Sequence, residues 1–218
     1  MECRLRRGAF GPVGNSTLRV KQKAASRHEP FTNAMLPAVK PSTTDVGSLY
    51  RAHVRQVARW AERLAGPTLD VEDLVHEVFT IAHERIQGFR GDSSITTWLF
   101  GITDKVVRHR RRKERWRRWL SGSANETAGH LQSATPDPLR AFERVQARAQ
   151  VYAVLDRLGE RDRKILILCE LDELPYDEVA VLLGVTPANA RLRLHRARAR
   201  FCQVHDQLEK RGALHVFR

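Results

Sequence analysis

"VTPANARLRLHRARARF" occupies residues 185–201 and carries five arginines and one histidine, with no acid. At about 100° per residue, Ala190, Leu194, Ala197 and Phe201 fall on one narrow apolar stripe. Arg191, Leu192, His195, Arg196 and Ala199 lie around the other side. Thr186 is a good N-cap, and Pro187 suits the first helical position, where a missing N–H is no loss. The stretch predicts a helix with a thin core seam and a broad basic face. Such a face is either a solvated surface or a docking surface for a polyanion. The preceding residues, "PYDEVAVLLG" (175–184), form a short amphipathic helix that stops at Gly184, with Val179, Ala180 and Leu183 turned toward the seam. That is helix-turn-helix spacing. A second helix of this kind enters the major groove, with arginine forks for guanine edges and other cations for phosphates. The candidate base-reading set is Arg191, Leu192, Arg193, His195 and Arg196. Leu192, an exposed leucine among cations, meets either a thymine methyl or solvent.

The whole chain supports a polyanionic partner. Its 218 residues carry 38 Lys and Arg against 25 Asp and Glu, a formal net charge of +13. That excess points to nucleic acid or to an anionic membrane surface. There is no apolar run of membrane-spanning length, and no hydrophobic segment follows the basic start "MECRLRRGAF", so the expected location is cytoplasmic. Three cysteines without a CxxC pair suggest neither a disulfide framework nor a zinc site. Cys169, inside "KILILCEL", reads as a buried small apolar residue.

Apolar residues recur at helical spacing, which predicts an all-α chain: two small helical domains joined by a flexible linker, the C-terminal one a helix-turn-helix. Residues 1–44 show no periodicity and read as a disordered basic extension. Met35 is the only methionine after Met1 and is an alternative expected start of translation. The N-terminal domain is expected over 45–118, the linker over 119–138, the C-terminal domain over 139–210 and a tail over 211–218. In the first helix Leu49, His53, Val57, Trp60 and Leu64 share a face, ended by Gly66 and Pro67. The second has a wide apolar face of Val71, Leu74, Val75, Val78, Phe79, Ala82 and Ile86. Asp73, His76, Glu77, Thr80 and Glu84 gather opposite. An acidic face in so basic a chain is either a protein-docking surface or an ordinary solvated one. The third helix starts near Ser94 and carries Ile95, Trp98, Leu99, Ile102 and Val106. From Lys105 to Arg118 it holds nine Lys and Arg against one Glu, with Trp116 nearby and Trp119 just beyond. Arginine rows with aromatics suit a phosphate backbone and unpaired bases, and they equally complement a helix C-terminus.

Catalytic constellations are not legible. "HEVFTIAHERI" holds two His-Glu pairs seven residues apart, not the HExxH spacing that aligns two histidines on a metal. There is no glycine-rich phosphate loop, no nucleophile context and no carboxylate dyad. The expectation is a non-enzyme with no cofactor and no metal. Without further information, a stand-alone helix-turn-helix regulator and a nucleic-acid-acting enzyme are the competing readings.

Two stretches carry a family likeness. "DVEDLVHEVFTIAHERIQGFRGDSSITTWLFGI" (70–102) resembles region 2 of bacterial sigma factors. "LPYDEVAVLLGVTPANARLRLHRARARF" (174–201) resembles their region 4 helix-turn-helix. The linker leaves no room for a region 3 domain, so the chain, over about residues 46–205, resembles the extracytoplasmic-function (ECF, group 4) sigma factors of the sigma-70 family. The resemblance implies a promoter-specificity subunit of RNA polymerase that helps open DNA. Asp73, His76, Glu77 and Thr80 would bind the core enzyme, at the clamp helices of its β′ subunit, with β a further contact. Phe89, Arg90, Asp92, Ser94, Lys105 and Arg108 would hold the −10 element, where a base is captured from the stack. Residues 187–201, with the set named above, would read the −35 element. The linker would thread along the polymerase, and an anti-sigma factor is an expected partner. Departures from the family pattern are His76 for glutamine, Lys105 for asparagine, Asp104 for a basic or neutral residue and Ile95 for phenylalanine. "ANARLR" stands for "GTVRSR", which puts Leu192 in a serine's place.

Overall fold

The computed structural model describes residues 46–121 and 138–213. The expected basic extension, Met35, most of the expected linker and the end of the tail lie outside them. Every regular element among the described residues is helical: α1 (Val46–Ala65), α2 (Val71–Arg85), α3 (Ile95–Ser121), α4 (Pro138–Leu155), α5 (Glu160–Leu166), α6 (Tyr176–Leu183) and α7 (Pro187–Lys210).

Helices α1, α2 and α3 pack on one another. Helix α1 buries Leu49, Val57, Trp60 and Leu64, while His53 on the same face is half-buried. It stops where Gly66 takes a left-handed φ of 78° and donates its N–H to the Glu62 carbonyl. Helix α2 starts at Asp70, whose carboxylate accepts the Asp73 N–H at 3.0 Å, and Glu72 and Asp73 complement the dipole of its first turn. Leu74, Val75, Val78, Phe79, Ala82 and Ile86 are buried as expected, and Val71 is half-buried. Helix α3 is capped by the Ser94 hydroxyl, which accepts the Thr97 N–H. Leu99, Ile102 and Val106 are buried, Ile95 and Trp98 half-buried, and Thr103 satisfies its buried hydroxyl on the Leu99 carbonyl at 2.8 Å. Helix α3 continues through Ser121, three residues into the span expected as linker, and α4 opens on the last residue of that span.

In the C-terminal half, "ERDRKILILCELDEL" reads as one helix, yet the α-helix ends at Leu166 and the backbone widens into a π-turn at Ile167–Leu171. The Asp172 N–H donates to the Ile167 carbonyl and the Leu174 N–H to that of Leu168. Glu173 closes the segment at a φ of 53°. The widened turn leaves Asp172 buried at 4% exposure. Cys169 within it is half-buried rather than buried, and burial beside Glu170 pushes its thiol up to about 11. Its alkylation by iodoacetamide is expected to be slow at pH 7 and to rise about tenfold per pH unit to pH 9 without a plateau, because only the thiolate reacts. A plateau below pH 9 in a mass-resolved time course contradicts this.

The two halves share one continuous apolar core running from Leu49 to Leu208, and they meet at a polar junction around it. The Tyr152 hydroxyl donates to the Arg63 carbonyl at 2.8 Å. Arg163, 2% exposed, donates to the Leu64 carbonyl at 3.1 Å and to Asp156 at 2.7 Å, with its guanidinium over the Tyr152 ring. Arg111, 7% exposed, holds Asp156 at 2.7 Å and Glu160 at 3.2 Å. Arg59 donates to the Asp172 carboxylate at 2.9 Å and to its backbone carbonyl at 3.1 Å. Burial, helped by the neighbouring Arg111, pushes Arg163 down to about 10, so it remains a cation at neutral pH. Asp172 is raised above the ordinary carboxylate value because burial outweighs Arg59 and Arg63; one carboxylate oxygen has no hydrogen-bond partner.

Candidate nucleic-acid interface

The helix-turn-helix is built from local rules. Gly184 caps α6 in the left-handed conformation (φ 62°), and the Val185 N–H returns to the Ala180 carbonyl at 2.9 Å. Thr186 then caps α7 by accepting the Asn189 N–H, with Pro187 as first residue. Val179 and Ala180 of α6 are buried, as are Ala190, Leu194, Ala197 and Phe201 of α7; Leu183 is half-buried. Burying a leucine such as Leu194 contributes about 2 kcal/mol, enough to fix which face of α7 points outward.

That outward face is sorted electrostatically. Arg198 is tied to Glu170, and Arg200 to Asp162 at 2.6 Å. Each is neutralised by an acid of its own domain, on the π-turn and on α5, although both guanidinia stay partly exposed. Arg191, Leu192, His195 and Arg196 are exposed and Arg193 is half-buried. None of these makes an ion pair with a carboxylate among the described residues. The charge they carry is available to a polyanion, and Leu192, 49% exposed, sits among them.

The loop before α3 and its first half carry the second candidate set. Phe89 is half-buried, with its ring 5.2 Å from that of Trp98. Arg90, Asp92, Ser94, Lys105 and Arg108 are exposed. Two of them are already engaged: the Ser94 hydroxyl caps α3, and Arg108 donates to Asp104 at 3.2 Å. Asp104 also accepts from Lys164 of α5 at 2.6 Å, and so ties α3 to the C-terminal half. The basic run of α3 is divided likewise. Arg110 and Arg111 hold carboxylates across helix pairs, and Arg117 holds Glu114. Arg112 and Arg115 line a surface groove with Trp116 and Trp119.

On α2, Asp73, His76 and Thr80 are exposed. The Thr80 hydroxyl bonds back to the His76 carbonyl at 2.9 Å. Glu77, grouped with them by spacing, is half-buried and accepts from Arg110 of α3 at 2.6 Å. His205, Asp206 and Glu209 lie close together near the end of α7, partly or fully exposed. No helix among the described residues is long and apolar enough to cross a membrane.

Sequence reasoning missed Arg111, Arg163, Asp172 and Tyr176, and it singled out Asp104 without its partner Lys164. The first two had a signal: Arg111 continues the buried series Leu99, Thr103, Val107 at four-residue steps, and Arg163 shares a face with Leu166 and Ile167.

Residues 49–117 match the family model described as Sigma-70 region 2, and residues 148–201 that described as Sigma-70, region 4. The chain is similar to the RNA polymerase sigma factor NccH of Alcaligenes xylosoxydans xylosoxydans, 31% identical over 154 residues that span 71% of this chain and 83% of that protein. It is similar to the ECF RNA polymerase sigma-E factor of Escherichia coli strain K12, 31% identical over 139 residues that span 61% of this chain and 72% of that protein. Among solved structures it is similar to the sigma factor RpoE from Bartonella quintana, solved in complex with the anti-sigma factor NepR. The TM-score is 0.50 and the identity 21%, over 74% of this chain and 97% of that one. That last likeness speaks for the fold alone. With both regions in order and a close relative matched over most of its length, the chain belongs to the ECF group of the sigma-70 family and is a promoter-specificity subunit of bacterial RNA polymerase.

Proposed function

We propose that this factor binds core polymerase through the exposed face of α2, with Asp73, His76 and Thr80 and with Glu77 at its edge, against the β′ clamp helices. Residues 45–118 form the unit that holds the −10 element through Phe89, Arg90, Asp92, Ser94, Lys105 and Arg108. Residues 139–210 read the −35 element through Arg191, Leu192, Arg193, His195 and Arg196, and 119–138 connect the two. The observation that carries this reading is the division of α7, in which Arg198 and Arg200 are held by acids while the arginines nearer its start are left for DNA. The protein acts in the cytoplasm, performs no chemistry of its own, and needs no cofactor. An anti-sigma factor is a partner, by analogy with the complexed RpoE.

Promoter binding requires the halves to separate. The two elements are about 25 base pairs apart by their names, roughly 85 Å of duplex. In the structure Arg108 lies about 4.5 Å of helix rise from Arg111, and Arg111 holds Glu160 at the start of α5, which packs on α7. The closed arrangement packs α3, which carries the −10 set, against α6 of the helix-turn-helix, far nearer than the promoter spacing, so we read it as the factor off DNA.

Run-off transcription with sequenced 5′ ends, using core polymerase and fragmented host genome, tests the reading. Discrete new starts sharing two upstream motifs are expected. No new starts despite DNA binding favours a stand-alone regulator. Leu192→Ser is expected to change base preference at one −35 position by roughly three- to fivefold, the worth of an apolar contact, with core binding unchanged. An unaltered promoter profile counts against a base contact there.

A further inference from the structure

An exposed arginine samples many rotamers, and reading a base edge requires that its plane be set. Arg191 is exposed and is the fifth residue of α7, in the segment of a recognition helix that faces base edges. Its guanidinium carbon lies 5.3 Å from the ring centroid of Tyr176. Tyr176 is the first residue of α6 and is half-buried against the apolar core, so its ring is fixed to the body of the domain. The left-handed turn at Gly184 sets how α6 meets α7, and thereby where ring and guanidinium meet. Asp177 and Glu178 follow immediately and are exposed, yet neither forms an ion pair with Arg191 among the described residues. The distinction matters chemically. A carboxylate holds an arginine by consuming its N–H donors, as Glu170 does for Arg198. A ring face holds it through the π-cloud and leaves the N–H edges free.

We propose that Tyr176 is a positioning residue for promoter recognition: its ring orients the Arg191 guanidinium so that the free edge donates to O6 and N7 of one guanine in the −35 element. The inference deepens the reading of α7 above and rests on it. Neither residue type announces the pairing alone, because Tyr176 lies before the turn and reads from sequence as an ordinary helix-start aromatic.

The test uses the full chain with core polymerase and a promoter library randomised across the −35 element with a fixed −10 element, scored by transcript counts. Arg191→Ala is expected to flatten guanine preference at one position, by roughly five- to a hundredfold. Tyr176→Leu, which keeps apolar bulk without the π-face, is expected to weaken preference at that same position by roughly two- to fivefold. Tyr176→Phe is expected to retain it. Arg191→Lys, which keeps charge without the planar fork, is expected to lose preference while non-specific DNA binding persists. If Arg191→Ala changes no position, the base contact itself fails. If Arg191→Ala flattens a position and Tyr176→Leu does not, the positioning role alone is overturned. A uniform loss with Tyr176→Leu across all promoters, the preference intact, makes Tyr176 a packing residue and overturns it too. Should Tyr176→Leu fail to fold by circular dichroism, Tyr176→Met, which also lacks a π-face, takes its place and is judged by the same two outcomes.

Discussion

Gly66→Ala drives a wedge between the two halves of the factor. Gly66 holds a φ of 78°, and a Cβ there would lie 2.7 Å from Cδ1 of Tyr152 and 3.0 Å from its Cε1. The ring cannot swing aside freely. It is buried, its hydroxyl is bonded to the Arg63 carbonyl, and the Arg148 and Arg163 guanidinia lie over it. Left-handed alanine costs roughly 1–2 kcal/mol, and the overpacking costs a similar amount, giving about 2–4 kcal/mol in all. The expected results are a thermal midpoint lower by roughly 5–15 °C and a larger radius of gyration by solution scattering. Polymerase affinity is expected to move the other way. If core enzyme binds only the open form, apparent affinity is the intrinsic affinity reduced by the open fraction, so destabilising the closed form holds or raises it. Parallel loss of stability and of polymerase binding contradicts that coupling and leaves Gly66 a purely structural glycine.

The parts of this structure that were legible in the sequence are those governed by local geometry. The seam of α7 follows from spacing, and its start from Thr186 and Pro187. The same holds for the faces of α1 and α2. What escaped is set by distant partners. Glu77 belongs to the acidic face of α2 by spacing, yet its partner Arg110 lies 33 residues on. Asp104 looks like a misplaced acid in a basic helix until Lys164, 60 residues away, is brought against it. Arg111 and Arg163 sit on buried stripes, but their residue type argues for solvent. The π-turn leaves no signature either, since five apolar-rich residues satisfy an α and a π repeat equally well.

Arg163→Ala is expected to have the largest effect on stability of any substitution at the junction. The side chain is 2% exposed and fills space between α1, α4 and the Tyr152 ring. Removing it leaves the Leu64 carbonyl without that donor, about 1–3 kcal/mol, and adds a cavity, for a total of about 3–5 kcal/mol. It does not strand a charge: Asp156 is 40% exposed on its side chain and keeps Arg111 at 2.7 Å. Arg163→Met separates the two contributions, because it restores most of the volume and leaves only the unbonded carbonyl. It should recover roughly half of the loss. Hydrogen exchange locates the damage. Amides at the C-terminal turn of α1 and in α5 should lose protection together, although they belong to different halves, while α2 and the first turns of α7 keep theirs. The variant should still direct polymerase to the same promoters, since Arg163 faces neither the exposed side of α2 nor that of α7. Loss of protection spread evenly over every helix means instead that the two halves unfold as one cooperative unit, and that the factor cannot open at this junction without unfolding.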